Sequence, residues 1–411
     1  MKQILIYLFV LLFSIPIHSL AQADTLNRHN LYRQRVFPES KITSSKIYRI
    51  GGVGAPLIVG GLLVKGGDKR FRELRNTYVP NFHNSYDNYL QYLPAVAMVG
   101  MKIGGVKSRS SWGRMLVSDA FAVALMATAV NTIKLAADVQ RPDGTAYNSF
   151  PSGHSATAFM TATMMHKEYG DRSPWYSIGA YTVATATSVG RLMNNRHWLS
   201  DVMAGAGIGI LTTELGYFLA DLIFKEKGIT RFDNAMPFDV PYRPSFAGIR
   251  MGLYKQAGAY RLPDGRELSL ATGSFAGLEG AYFFNPYVGG GGSVSVAALP
   301  LSIDNVRENE LAQMISVYAG GYFSYPLMPR LLAGSKILAG YIRYPDYSST
   351  QEYSLKSNGI GLTTGLSLTW LAKRNYGMKV FADYSLQSSM LEETGKPFQL
   401  FALGGALNIQ F

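Results

Sequence analysis

The sequence predicts a two-domain α + β protein, an N-terminal six-helix bundle followed by an eight-stranded antiparallel transmembrane β-barrel. Three observations predict it. Apolar residues recur at helical spacing up to about residue 225 and with a period of two beyond about residue 245, and Pro237, Pro241 and Pro244 punctuate the polar run between. The alternating segments number eight, and the connections between them alternate short and long. The composition, 47% hydrophobic and only 16% charged with 43 glycines and 26 tyrosines in 411 residues, suits a membrane chain better than one soluble globule.

In chain order, residues 1–23 carry Lys2, an apolar run and Ala21-Gln22-Ala23, the pattern of a cleaved secretory signal peptide. Residues 24–46 form a polar arm, 47–225 the helical domain, 226–244 a linker and 245–411 the barrel. The chain has no cysteine, which excludes disulfides, thiol chemistry, Cys-based metal sites and lipoprotein acylation. The net charge of +12 suits anionic lipid or phosphate as a partner. No motif supports a nucleic-acid role, and no obligate protein partner is implied.

The helical periodicity predicts helices over 50–64, 89–103, 115–139, 155–169, 175–189 and 199–224. Asn194-Asn195 is a turn-prone break between the last two. Most of the apolar runs are near 15 residues and are cut by Lys102, Asp119, Lys134 or Glu214. A membrane span needs about 20 residues. Hydropathy therefore leaves both a peripheral and an integral bundle open.

The strands are expected over about 246–254, 272–284, 287–300, 312–325, 330–344, 357–372, 376–388 and 398–411. In the sixth, Ile360, Leu362, Leu366, Leu368 and Trp370 alternate with Gly361, Thr363, Gly365, Ser367 and Thr369. One apolar face and one small or polar face is the pattern of an outer-membrane barrel. Short turns belong on the periplasmic side, so strand parity places the linker, and with it the helical domain, in the periplasm of an outer-membrane protein. The alternative is an inner-membrane protein with a periplasmic active site.

Chemistry concentrates between residues 134 and 201. Lys134 and Arg141 are seven apart, a spacing that puts both on one face of a helix. Pro151-Ser152-Gly153-His154 opens the fourth helix, where Ser152 can cap and the free N–H groups of the first turn form an anion site. Arg191 precedes the Asn194-Asn195 break, which lets it converge with His197. Asp201 follows His197 by four and can hold one ring nitrogen while the other reacts. Clustered cations repel by about 4 kcal/mol per close pair at an effective dielectric near 20, so they call for a multiply charged anion between them. With an imidazole on each side of a phosphoryl group, one can attack in line while the other protonates the departing oxygen, and no metal or other cofactor is required.

These segments resemble the three signature motifs of the type 2 phosphatidic acid phosphatase superfamily, whose members include lipid phosphate phosphatases, bacterial acid phosphatases and vanadium haloperoxidases. The resemblance implies a helical bundle of the phosphatidic acid phosphatase type. It assigns phosphate binding to Lys134, Arg141, Ser152, Gly153 and Arg191, leaving-group protonation to His154, nucleophilic attack to His197 and its orientation to Asp201. Gly190 departs from the pattern, standing where the family usually has serine. A lone lysine, arginine or histidine is usually solvated or structural. Here all three spacings occur in order, whereas His29, His83 and His166 lack such company and read as structural. The expected function is a metal-independent phosphatase acting on a phosphorylated lipid in a membrane, of the lipid A phosphate or phosphatidylglycerol phosphate type. Hydrolysis of small soluble phosphate esters, or a vanadate-dependent haloperoxidase, are the alternatives.

Overall fold

The computed structural model describes residues 46–225, 227–230, 243–261, 265–304, 306–328, 330–344, 357–373, 376–388 and 397–410. The expected signal peptide, the arm up to residue 45 and most of the linker lie outside the described residues. Helix α1 (Lys46–Val64) leads through a 3-10 turn into α2 (Asp68–Tyr78), and a single helical turn at Asp87–Leu90 precedes α3 (Leu93–Ile103). Helices α4 (Trp112–Ala137), α5 (Gly153–Tyr169), α6 (Pro174–Met193) and α7 (Leu199–Phe224) complete the helical part.

The expected six helices become seven of eleven residues or more among the described residues. The addition is α2, whose sequence D-K-R-F-R-E-L-R-N-T-Y is too polar for apolar spacing to reveal. Its Lys, Arg, Glu and Leu are good helix formers all the same. The serine before each of α4, α5 and α6 accepts a first-turn N–H: Ser111 from Arg114 at 3.5 Å, Ser152 from Ser155 at 3.3 Å and Ser173 from Trp175 at 3.4 Å.

Helix α7 is the hub, packed against α1, α4 and α5. A Cβ on Gly54 would lie 2.6 Å from the Gly207 carbonyl oxygen, and one on Gly205 2.4 Å from that of Ser152. Only glycine permits these backbones to approach so closely. Three runs, Ile50–Tyr78, Trp112–Ala137 and Leu199–Phe224, are long and apolar enough to cross a membrane. This corrects the expectation of runs near 15 residues. The interrupting charges find partners inside the bundle, where the Tyr217 hydroxyl donates to Asp119 at 3.1 Å and Lys167 Nζ to Glu214 at 2.7 Å.

The strands are β1 (Phe246–Gln256), β2 (Tyr260–Arg261), β3 (Glu267–Leu270), β4 (Gly273–Phe283), β5 (Val288–Ile303), β6 (Val306–Met328), β7 (Leu331–Arg343), β8 (Asn358–Lys373), β9 (Tyr376–Gln387) and β10 (Phe398–Gln410). Eight of them run in the order β5-β4-β1-β10-β9-β8-β7-β6, all antiparallel, and β5–β6 pairing closes the barrel. The small β2–β3 hairpin extends from β5 within what the sequence marks as a long loop. The expected loop at 301–311 is instead strand on both sides, with β5 reaching Ile303 and β6 starting at Val306.

Ile360, Leu362, Leu366 and Leu368 point outward and are exposed, while Thr363 and Thr369 are buried within. Inside, Glu279 accepts from Lys336 at 2.8 Å and Lys379 at 3.3 Å, and Asp383 pairs with Lys336 at 2.9 Å and with Arg250. Apolar outside and ionic inside is the inverse of a soluble barrel.

Helices and strands belong to one compact unit, Glu39–Phe411. The Tyr181 ring stacks on Tyr376 at 5.1 Å, and Trp370, Met378 and Leu407 pack against the helical core. Ser274 Oγ donates to the Arg70 carbonyl at 2.8 Å, and the Tyr78 hydroxyl donates to the carbonyls of Ala297 at 2.8 Å and Met314 at 3.0 Å.

Candidate active site

The site forms where α4 ends and α5 and α7 begin. Helix α4 stops at Ala137, and Asp138 takes a left-handed conformation at φ 45°. Lys134 and Arg141 therefore do not share a helical face as the spacing suggests. Pro142, in addition, disfavours helical backbone at Arg141, the residue before it. Both cations still converge, on one residue: Lys134 Nζ donates to the Asn148 carbonyl and Arg141 Nε to Asn148 Oδ1 at 3.0 Å. The loop carrying Arg141 is tied to the opposite wall by Trp198 Nε1 donating to the Gln140 carbonyl at 2.7 Å and by Arg196 paired with Asp143 at 3.1 Å.

Ser152 caps α5 and is fully buried. Its N–H donates to the Asp201 carbonyl at 3.0 Å, which locks the start of α5 onto the start of α7. Gly153 and His154 form the first turn of α5, and His154 Nε2 lies 2.9 Å from Asn88 Oδ1. Burial, with Arg191 adding, pushes His154 down to about 4, against the opposing pull of Asp87. Burial likewise lowers Arg141, and the neighbouring Arg191 lowers it further.

His197 stands just before α7 rather than on it, with Trp198 as N-cap. Its Nδ1 lies 3.4 Å from Asp201 Oδ2 and 3.5 Å from Ser149 Oγ. The same carboxylate oxygen accepts from Ser149 Oγ at 2.5 Å and from the Trp198 N–H at 2.9 Å. Two neighbours besides the histidine thus fix the Asp201 carboxylate. Burial lowers His197, and Asp201 opposes that shift. Asn195, at φ 57°, makes the turn that brings Arg191 and His197 together.

Arg191 donates from Nη1 to Asp87 Oδ2 at 3.0 Å, and Asn194 Nδ2 donates to the same oxygen at 3.1 Å. Asp68, at the start of α2, accepts the Ser200 N–H at 3.0 Å and its hydroxyl at 2.5 Å, which holds the first turn of α7. A Cβ on Gly190 would meet Tyr86 Oη at 2.8 Å and Asp87 Cβ at 3.2 Å. Tyr86 thus occupies the space a side chain at 190 would need.

Every residue predicted for the site is brought to this one region. The sequence reading misses Tyr86, Asp87, Asn88, Asn148, Ser149 and Asp68. Asn148 and Ser149 lie inside the motif region, where an Asn-Ser pair before Pro151 gave no distinguishing spacing. Asp87 and Asn88 are separated from Arg191 by about a hundred residues, and only Gly190 hinted that another segment fills the gap beside it.

Residues 115–221 match the PAP2 superfamily. The chain is 44% identical over 236 residues to the lipid A 1-phosphatase of Porphyromonas gingivalis, covering 55% of this chain and 52% of that protein. The chain thus spans about half the length of the curated relative it matches. Among solved structures it is similar to Aquifex aeolicus LpxE, 21% identical over 35% of this chain and 92% of that one, with a TM-score of 0.28. It is similar also to Neisserial surface protein A, 12% identical over 41% of this chain and 97% of that one, with a TM-score of 0.30. All three motifs converge in space around the segment that matches the PAP2 superfamily, residues 115–221, on a chain that continues into a closed eight-stranded barrel.

Proposed function

We propose that the protein is a metal-independent lipid phosphatase of the cell envelope that works through a phosphohistidine on His197 and removes a phosphate of the lipid A type. The observation that carries this is the placement of two histidines of different character around one cluster of cations. His197 is backed by Asp201 and Ser149 through Nδ1, which leaves Nε2 as the attacking atom. His154 is held instead by an amide, with Nε2 2.9 Å from Asn88 Oδ1.

In the first step His197 Nε2 forms a bond to phosphorus as the bond to the leaving oxygen breaks, and His154 gives that oxygen its proton. In the second, His154 takes a proton from water, whose oxygen displaces His197 and releases inorganic phosphate. Arg141, Arg191, Lys134 and the first-turn N–H groups of α5 neutralise the equatorial oxygens. Among the described residues, Nε of the buried Arg191 has no hydrogen-bond partner, so a phosphoryl oxygen is suited to supply one. These cations provide the charge that a metal supplies in other phosphatases. The 44% identity to a lipid A 1-phosphatase and the outward apolar face of the barrel favour a lipid over a soluble ester.

The test is phosphate release by the purified full chain from lipid A, phosphatidylglycerol phosphate and a soluble monoester, with and without chelator. His197→Ala is expected to lower turnover by roughly a thousandfold in a folded protein, with wild-type activity unaffected by chelator. Near-normal turnover in that variant, or loss on chelation, overturns the mechanism. Preference for the soluble ester overturns the substrate class.

A further inference from the structure

The two ends of the barrel are distinguishable. The connections from β4 to β5, β6 to β7 and β8 to β9 are short and share one rim, where β1 begins and β10 ends, since Phe246 pairs with both Gln410 and Ala281. Three of the connections at the other rim, 257–272, 344–357 and 388–397, are longer, and in the fourth β5 and β6 project beyond the β6–β7 pairing before they join after Ile303.

The helical part contacts the barrel near both rims. Helix α2, whose Asp68 holds the first turn of α7 beside the active site, touches the barrel at Ser274, one residue inside the start of β4. Its last residue, Tyr78, reaches Ala297 and Met314, and Met314 directly precedes Ile315, the partner of the last residue of β7. All three contacts are at the long-loop rim. At the other rim Tyr376, the first residue of β9, stacks on Tyr181, ten residues before Arg191 along α6. Strand β1, which the linker enters, starts at the short-turn rim. Attachment of the linker at the short-turn rim is what strand parity leads one to expect, but it does not suspend the bundle beyond that rim.

The surfaces agree with this alignment. Val59, Leu62 and Leu63 of α1, Val96 and Val99 of α3, and Leu116 and Val123 of α4 are exposed and apolar, as is the outer face of the barrel. At 26 residues, α4 is about 39 Å long, more than the ~30 Å of bilayer hydrocarbon. Around the active site the surface turns basic: Lys65, Lys69 and Arg72 are exposed, with Lys65 Nζ 5.9 Å from the Phe150 ring centroid and the Arg72 guanidinium 5.9 Å from that of Trp198. A cationic and aromatic rim above an apolar belt fits the interface of an anionic leaflet.

We propose that the helical bundle crosses the same bilayer as the barrel, side by side with it, and that the active site opens on the leaflet at the long-loop rim. Its substrate is then a phosphorylated lipid resident in that leaflet. In an outer membrane, where short turns face the periplasm, this is the cell-surface leaflet. The identity of the substrate rests on the phosphatase reading, whereas the orientation does not.

The absence of cysteine gives a clean background for labelling. Single cysteines are placed in the full chain at two exposed bundle positions, Asn76→Cys at the active-site end and Asp171→Cys at the other. Two more mark the barrel rims, Ser357→Cys and Asn285→Cys. With a membrane-impermeant maleimide on intact cells, Asn76→Cys and Ser357→Cys are expected to label together, and Asp171→Cys and Asn285→Cys only after the outer membrane is permeabilised. Any pattern in which Asn76→Cys does not label with Ser357→Cys and ahead of Asp171→Cys overturns the proposal, including the pattern of a bundle hanging free in the periplasm. Labelling does not depend on turnover, so an inactive enzyme with the expected pattern would defeat the phosphatase reading alone, and an active enzyme with another pattern would defeat the orientation alone.

Discussion

Arg191 and Asp87 form a buried ion pair, Nη1 to Oδ2 at 3.0 Å, with the two side chains 8% and 1% exposed. Asp87 also receives Asn194, so one carboxylate fixes both ends of the turn that follows α6. Removing one partner of such a pair leaves a buried charge uncompensated. Asp87→Ala is expected to lower kcat about a hundredfold by letting the guanidinium swing off the phosphoryl oxygens, with Asp87→Asn milder because it keeps an acceptor. Arg191→Lys should also fall strongly, since lysine cannot present two parallel N–H donors. Steady-state kinetics on all three decides, and wild-type kcat in each would mean the pair is only structural.

Gly190 and Tyr86 make the second test. Restoring a serine at 190 would bring its Cβ to 2.8 Å from Tyr86 Oη, closer than real contacts allow, and to a tight 3.2 Å from Asp87 Cβ. Gly190→Ser is therefore expected to reduce activity by about tenfold or more through displacement of Asp87. The double variant Gly190→Ser with Tyr86→Ala should recover part of it, because the clash is relieved. Activity at or above wild type in the single variant would show that the added hydroxyl matters more than the lost space.

The pH dependence follows from His154, which burial and Arg191 hold to about 4. The charged form is disfavoured, so in the free site His154 is neutral at pH 7 and needs a proton from the incoming monoester. Phosphate monoesters lose their second proton near pH ~6. kcat/KM should therefore be greatest between about pH 4 and 6 and fall about tenfold per unit above that. A profile flat from pH 6 to 9 would show that His154 carries its own proton.

Inside the barrel, Glu279 faces Lys336 at 2.8 Å, Lys379 at 3.3 Å and the Tyr322 hydroxyl at 3.3 Å. Glu279→Ala leaves those cations beside Arg250 with Asp383 as the remaining counter-charge in this network. Breaking such a pair costs on the order of 3–5 kcal/mol. The expected result is a lower unfolding midpoint of the detergent-folded protein, read by loss of heat-modifiable gel mobility, while the isolated charge swap of an exposed residue such as Lys69→Glu leaves the midpoint unchanged.

The chain's own sequence is enough to establish the two classes of structure and the eight barrel strands, β6 apart to within a few residues, and it names motif residues that the fold brings together. It could do so because those signals are local: a period of two or of 3.6, a serine before a helix, Asn194-Asn195 in a turn. Its errors were local signals that other forces outweighed. Lys134 and Arg141 keep helical spacing but not a shared helix, because the helix stops at Ala137 and Asp138 turns left-handed, and they meet through Asn148 instead. Asp119 and Glu214 look like breaks in apolar runs until Tyr217 and Lys167 are seen beside them. Folding alone brings Asp87 to Arg191, puts Tyr86 in the space left by Gly190, and sets Arg70 and Tyr78 against the long-loop rim of the barrel. Each of these joins residues some ninety or more apart, and contact at such separation is fixed by the close packing of whole helices and strands, which no periodicity in the chain records.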